Sequence, residues 1–132
     1  MTTELWRGGI LTKINLKGYL KNLTNNEKTI IETKAIKNNQ KISYYLDKEK
    51  YNIKIISPNK IILTRTTNEI DSTLYFEINK THQAIYLIKE NNLSLEINIR
   101  TNNIEITDKH IKITYTVIDS NNDYEYYIEM SE

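Results

Sequence analysis

The stretch LSLEINIR sets Leu93, Leu95, Ile97 and Ile99 against Ser94, Glu96, Asn98 and Arg100. A strict period of two puts one set on each face of an extended strand. The pattern recurs in HIKITYTVID, where Ile111, Ile113, Tyr115 and Val117 oppose Lys112, Thr114 and Thr116. In DYEYYIEM, Tyr124, Tyr126, Ile128 and Met130 oppose Glu125, Tyr127 and Glu129. Few windows carry the i, i+3, i+4, i+7 spacing of a helix. Strands with one apolar face and no helix to cover it must close on themselves, as a barrel or a two-layer sandwich.

The periodicity predicts strands near residues 10–20, 28–37, 40–47, 51–57, 60–67, 70–78, 83–90, 93–101, 103–107, 110–119 and 124–130. Short connections make sequence neighbours antiparallel neighbours in space. The long first strand and the regular hairpins favour an all-β, antiparallel up-and-down barrel. Residues 1–9 then form an N-terminal segment, and residues 10–132 a single barrel domain, as a chain of 132 residues allows.

Tight hairpin turns need positive φ, which glycine supplies most easily. The chain has only three glycines, but it repeats Asn-Asn at 25–26, 38–39, 91–92, 102–103 and 121–122. Asparagine is the best substitute in the left-handed region. Four of these pairs fall at expected strand junctions and one in the longer first loop. They read as turn formers, not as a ligand site.

Composition narrows function by exclusion. Cysteine is absent, so disulfides, thiolate catalysis and cysteine-ligated metals are ruled out. Eighteen basic and 17 acidic residues leave a formal net charge of +1. A nucleic-acid binder needs a basic stripe, so that partner is disfavoured. The first twenty residues lack a continuous apolar run, and no later stretch is apolar enough to span a membrane as a helix. The expected location is the cytoplasm.

The segments ISYYLDKEKYNIKIISPNKIILTR, STLYFEINK, IYLIKENNLSLEINIRT and IKITYTVID resemble the YwiB-like family of small bacterial proteins. The likeness covers roughly residues 28–130. It rests on Ser43-Tyr44-Tyr45 ahead of Asp47, on Arg65 ending a strand, on Phe76, and on Tyr86 before a turn and an amphipathic strand. The family pattern has glycine shortly after the arginine and in the turn after the tyrosine, where this chain has Thr67 and Asn91. A β-branched threonine does not easily take positive φ. The resemblance implies a calycin, lipocalin-like barrel and no settled activity. Fold alone does not carry function.

Arg65 is the leading candidate for a site. In IILTR, Ile61, Leu63 and Arg65 share one face. If that face is interior, the guanidinium points into the barrel or its mouth, where it must be paired. It then either closes a barrel end through carbonyls or stacking on an aromatic such as Trp6, or meets an anionic ligand group. The aromatic set at 44, 45, 75, 76, 86, 115, 124, 126 and 127 is mostly sheet packing by its β-propensity. Inward members Tyr44, Phe76 and Tyr115 join Arg65 as candidate ligand-binding residues.

His82 and His110 sit at expected strand ends without a metal-ligand spacing, so neither a metal site nor a cofactor is expected. No acid/base pair, phosphate loop or nucleophile elbow is legible, and Gly8-Gly9 is only a flexible lead-in to the first strand. The favoured function is noncatalytic binding of a small apolar or amphipathic ligand inside the barrel. The alternative is an interaction module for a protein, less so RNA, through the outer surface or a strand edge. Homodimerisation belongs to that class. The module reading needs Tyr45 and Tyr51 outside, near Lys41 and Lys54, as a stacking platform.

Overall fold

The computed structural model describes residues 3–6 and 9–132, with side chains from residue 11 onward. Of the expected flexible lead-in Gly8-Gly9, Gly8 lies outside the described residues, as does the Trp6 side chain, whereas Gly9 begins a strand and pairs with Trp6. Eleven strands make up the described chain: β1 (Thr3–Trp6), β2 (Gly9–Asn22), β3 (Lys28–Lys37), β4 (Lys41–Leu46), β5 (Glu49–Ser57), β6 (Lys60–Thr66), β7 (Ile70–Glu77), β8 (Thr81–Ile88), β9 (Leu93–Ile106), β10 (His110–Val117) and β11 (Asn122–Ser131). From β2 to β11 every strand pairs antiparallel with its sequence neighbour, and β11 returns to β2. The result is a closed ten-stranded up-and-down barrel, the one of the two allowed closures that the long first strand and regular hairpins favoured.

Strand β1 adds a short ladder outside the ring. Thr12 of β2 faces Lys37 of β3 on one side and Thr3 of β1 on the other. β1 therefore occupies the edge of β2 that β11 takes further along. The segment expected to precede the barrel thus contains a strand of its own.

The inward positions are mostly isoleucine and leucine. Leu16, Ile42, Ile53, Ile61, Ile99, Ile111, Ile113 and Ile128 are fully buried. Each such side chain contributes about 1.5–3 kcal/mol of burial free energy. Gly18 holds an inward place on β2 where any side chain is forbidden. A Cβ there would stand 1.8 Å from the Tyr127 carbonyl oxygen of β11.

The asparagine turns use two mechanisms. Asn26, Asn92 and Asn121 take positive φ, at 65°, 57° and 54°. Asn38 instead accepts backbone N–H bonds from Gln40 and Lys41 on its side-chain oxygen. Asn102-Asn103 corrects the sequence reading, because it is no turn. β9 runs unbroken through it, and the two strands expected at 93–101 and 103–107 are one. Tyr115 pairs with Thr101 and Thr114 with Asn103, leaving Asn102 as a bulge residue. The extra residue moves the inward phase from Ile99 and Thr101 to Ile104, and that phase change looks like a strand break in the sequence. Thr67 avoids the glycine requirement in a different way. Its hydroxyl accepts the N–H bonds of Glu69 and Ile70, which shapes the turn from the side chain.

Two seams of the ring are thin. β3 and β4 pair only through Ala35, Ile36 and Lys37. β7 and β8 pair only from Ile70 to Thr73. Beyond that point Thr101 bridges to the strand pair, its hydroxyl accepting from the Glu77 N–H and its carbonyl from the Asn79 N–H. By contrast β2 and β3 pair without a break from Thr12 to Lys21.

Candidate functional site

One inward row of the barrel departs from the aliphatic rule. Tyr44 of β4 pairs with Tyr51 of β5, Tyr51 with Arg65 of β6, and Arg65 with Ser72 of β7. Ser72 pairs with Tyr86 of β8, and Tyr86 with Leu95 of β9. Directly paired residues share a face, so these six form a continuous tier across six strands. Barrel strands are staggered, so a row across them climbs toward one rim. Tyr44 is fully buried, whereas Leu95 is 47% exposed. Leu93 is 49% exposed for the same reason. The alternation places both leucines on the inner face, but β9 has outrun the wall there, its pairing with β10 starting only at Ile99.

Four members of the tier, Tyr51, Arg65, Ser72 and Tyr86, line a cavity of about 390 Å³. Leu63 and Leu74, one row deeper, contribute to its wall, as do Leu20, Ile31 and Leu46. Tyr115 and Tyr126 line it from β10 and β11. A wider depression of about 960 Å³ opens at the other end of the barrel, bordered by Lys37, Asp108, Lys109 and Glu129. Its charged, open walls reach few buried groups, and Thr12 on its border adjoins β1. The smaller cavity is therefore the candidate site.

Arg65 is held by the chain's own carboxylate. Its Nε donates to Glu49 Oε1 at 3.0 Å and its Nη2 to Oε2 at 2.6 Å. The Tyr51 hydroxyl donates to Glu49 Oε1 at 2.9 Å. Arg65 holds the Glu49 carboxyl below its ordinary range, against the opposing effect of burial. Burial, then the bond to Glu49, pushes Tyr51 up to about 12. Its ring stacks on Tyr44, with centroids 4.8 Å apart. The hydroxyls of Tyr44 and Tyr126 meet at 2.6 Å. Desolvation raises the pKa of both, as it does for Tyr86 and Tyr115, so the cavity's phenols stay protonated.

Ser72 is not part of this bonded network. It is 2% exposed and lines the cavity. Among the described residues its Oγ has no hydrogen-bond partner. Asp71 Oδ1 shares that status by hydrogen-bond geometry, but it lies 3.2 Å from Lys89 Nζ in an ion pair. Of these two buried atoms only Ser72 Oγ lacks a compensating group, and an orphaned buried hydroxyl costs about 1–3 kcal/mol.

Of the residues singled out in the sequence, Arg65 and Tyr115 line the cavity. Tyr44 supports the wall from behind, through Tyr51 and Tyr126. Phe76 lies deeper on β7, fully buried, with its ring 4.9 Å from that of Tyr115. Glu49, Tyr51 and Ser72 were not expected. Their signal is parity: Glu49 and Tyr51 alternate in phase with Ile53, and Ser72 with Leu74. The Arg65 partner is a carboxylate, not the carbonyls anticipated, and stacking on Trp6 lies outside the described side chains. Tyr45 is 57% exposed, but Tyr51 faces inward. The surface platform of the interaction reading therefore lacks one of its two tyrosines.

The histidines pair locally, His82 Nε2 with Glu77 at 2.9 Å and His110 Nε2 with Glu105 at 3.7 Å. No helix among the described residues is long and apolar enough to cross a membrane.

No protein-family model and no curated protein matches the chain. A solved structure does: the crystal structure of the ywiB protein from Bacillus subtilis, at TM-score 0.70 and 20% sequence identity, over 92% of each chain. The fold is YwiB-like, as the sequence resemblance implied. At that identity the likeness speaks for the fold alone.

Proposed function

We propose that the chain is a noncatalytic, calycin-like binding protein that holds a small amphipathic ligand in the 390 Å³ cavity. The volume lies in the ~300–1,000 Å³ range of small-molecule sites. The supporting observation is Ser72, a buried hydroxyl on the cavity wall without a partner. A serine hydroxyl reorients by rotation about χ1, so a ligand reaches it without backbone movement. In this reading Tyr86 and Tyr115 flank the ligand's polar end, and Leu20, Ile31, Leu63 and Leu74 cover its apolar part. A cytoplasmic location and the lack of a catalytic role belong to the same reading. Binding to a protein partner or a second copy is the weaker reading, because Tyr51 is turned inward.

Native mass spectrometry of the freshly purified protein, with the denatured mass as reference, tests this. The expected result is a discrete added mass that the Ser72→Ala variant loses. A clean native mass, with no small molecule recovered by extraction, counts against the reading and returns weight to the interaction module.

A further inference from the structure

We infer that the ligand of this cavity is electrically neutral, an uncharged molecule carrying hydroxyl or carbonyl oxygen beside an apolar part. The inference rests on the binding reading above and adds the ligand's charge class. Among the described residues, three formally charged ones line the cavity: Asp47, Glu49 and Arg65. Two of them cancel, since Arg65 and Glu49 are joined by the paired bonds of 3.0 and 2.6 Å. The Tyr51 hydroxyl takes a further lone pair of the carboxylate. Asp47 stands exposed in the turn between β4 and β5, with φ at 56°. Everything else on the wall is hydrocarbon or hydroxyl.

This geometry penalises both signs of charge. An anionic head that takes Arg65 from Glu49 leaves Glu49 without its counter-ion, and one that uses the remaining guanidinium N–H groups meets a charge Glu49 already neutralises, with Asp47 negative nearby. A cationic head has to take Glu49 from Arg65 and from the Tyr51 hydroxyl. Exchanging this pair for a new one returns about what it breaks, so a charged head loses its own hydration without a net gain. A neutral oxygen needs no exchange, because the Ser72 hydroxyl both donates and accepts. The internal ion pair thus acts as a filter against ions. An inward arginine is usually read as an anion receptor, but here its own chain already supplies the anion.

The test is thermal unfolding of the full chain at neutral pH with 1-octanol, octanoate or octylammonium, three probes that share a tail and differ in head group. Octanol at about ten times its dissociation constant is expected to raise Tm by roughly 3 °C or more. Ser72→Ala abolishes that rise, and the two ions give smaller shifts that this substitution leaves unchanged. Glu49→Gln then frees the guanidinium, and octanoate affinity rises about tenfold or more. If octanoate or octylammonium stabilises the unaltered chain as well as octanol, and does so through Ser72, the neutral-ligand inference is overturned while the cavity reading survives. No response to any of the three, together with a clean native mass, overturns both.

Discussion

Two neighbouring tiers of the barrel interior are built on the same strands and do different work. Ile42, Ile53, Leu63 and Leu74 pair side by side across β4 to β7. Two residues along each strand, about 6.6 Å away, Tyr44, Tyr51, Arg65 and Ser72 pair in the same register. The lower tier is closed hydrocarbon and all of it is buried. The upper tier carries a guanidinium, two phenols and an unpartnered hydroxyl around a cavity. Backbone geometry is common to both, so the difference lies in side-chain chemistry alone. A β-barrel can therefore confine the polar groups of a site to one row and leave the adjacent row to close it with hydrocarbon.

The sharpest way to break the contrast is in the lower tier. Ile53→Ala leaves a void between paired aliphatic neighbours and is expected to cost about 2–5 kcal/mol, read as a lower urea midpoint with an unchanged m-value. Tyr44→Phe in the upper tier keeps the ring stack on Tyr51 but strands the Tyr126 hydroxyl, which is fully buried. A loss of about 1–2 kcal/mol is expected there, and restoring it with Tyr126→Phe in the double variant would identify the lost bond as its source.

A smaller effect concerns acid. The folded-state pKa of Glu49 is lowered by Arg65. Its stabilisation is therefore complete above the ordinary carboxylate value of about 4.3 and is lost as pH falls through the lowered folded value. Both partners are about one-third exposed, so solvent screening limits the effect to about 1 kcal/mol. Glu49→Gln should flatten the stability profile below about pH 4.3. An unchanged acid slope would assign it to other carboxylates, Glu77 beside His82 among them. The smallest effect belongs to Ser72→Ala, which removes an unsatisfied hydroxyl and is expected to leave stability unchanged within about 0.5 kcal/mol or raise it slightly. Loss of ligand without loss of stability is the signature that separates the two tiers.

Much of the fold was legible because a barrel wall is written in parity. The alternation puts Ile61, Leu63 and Arg65 on one face, and the structure shows that this face, not that of Ile62, is the inner one. Parity puts Glu49 and Tyr51 on the face of Ile53, but no sequence reading used it, because an acid between two lysines reads as surface until its arginine is seen across the ladder. Two features were hidden for physical reasons. A bulge at Asn102 resets the phase without a turn, so one strand reads as two. The stagger of the ring decides whether an inner-face residue is covered, and Leu93 and Leu95 show that alternation alone does not contain it.

The closure between β2 and β11 has a consequence for the order of events during synthesis. Every other ladder of the ring joins consecutive strands and can form as each hairpin appears. Asn15 to Asn22 must wait for Tyr124 to Ser131, with eight strands made in between. Until then the nascent sheet has an open edge and an uncovered isoleucine face, the state in which β-chains associate wrongly. Lys17 and Lys21, exposed or half-exposed on that waiting edge, place charges along it. The same residues that are plain surface in the finished barrel thus guard it while it is incomplete.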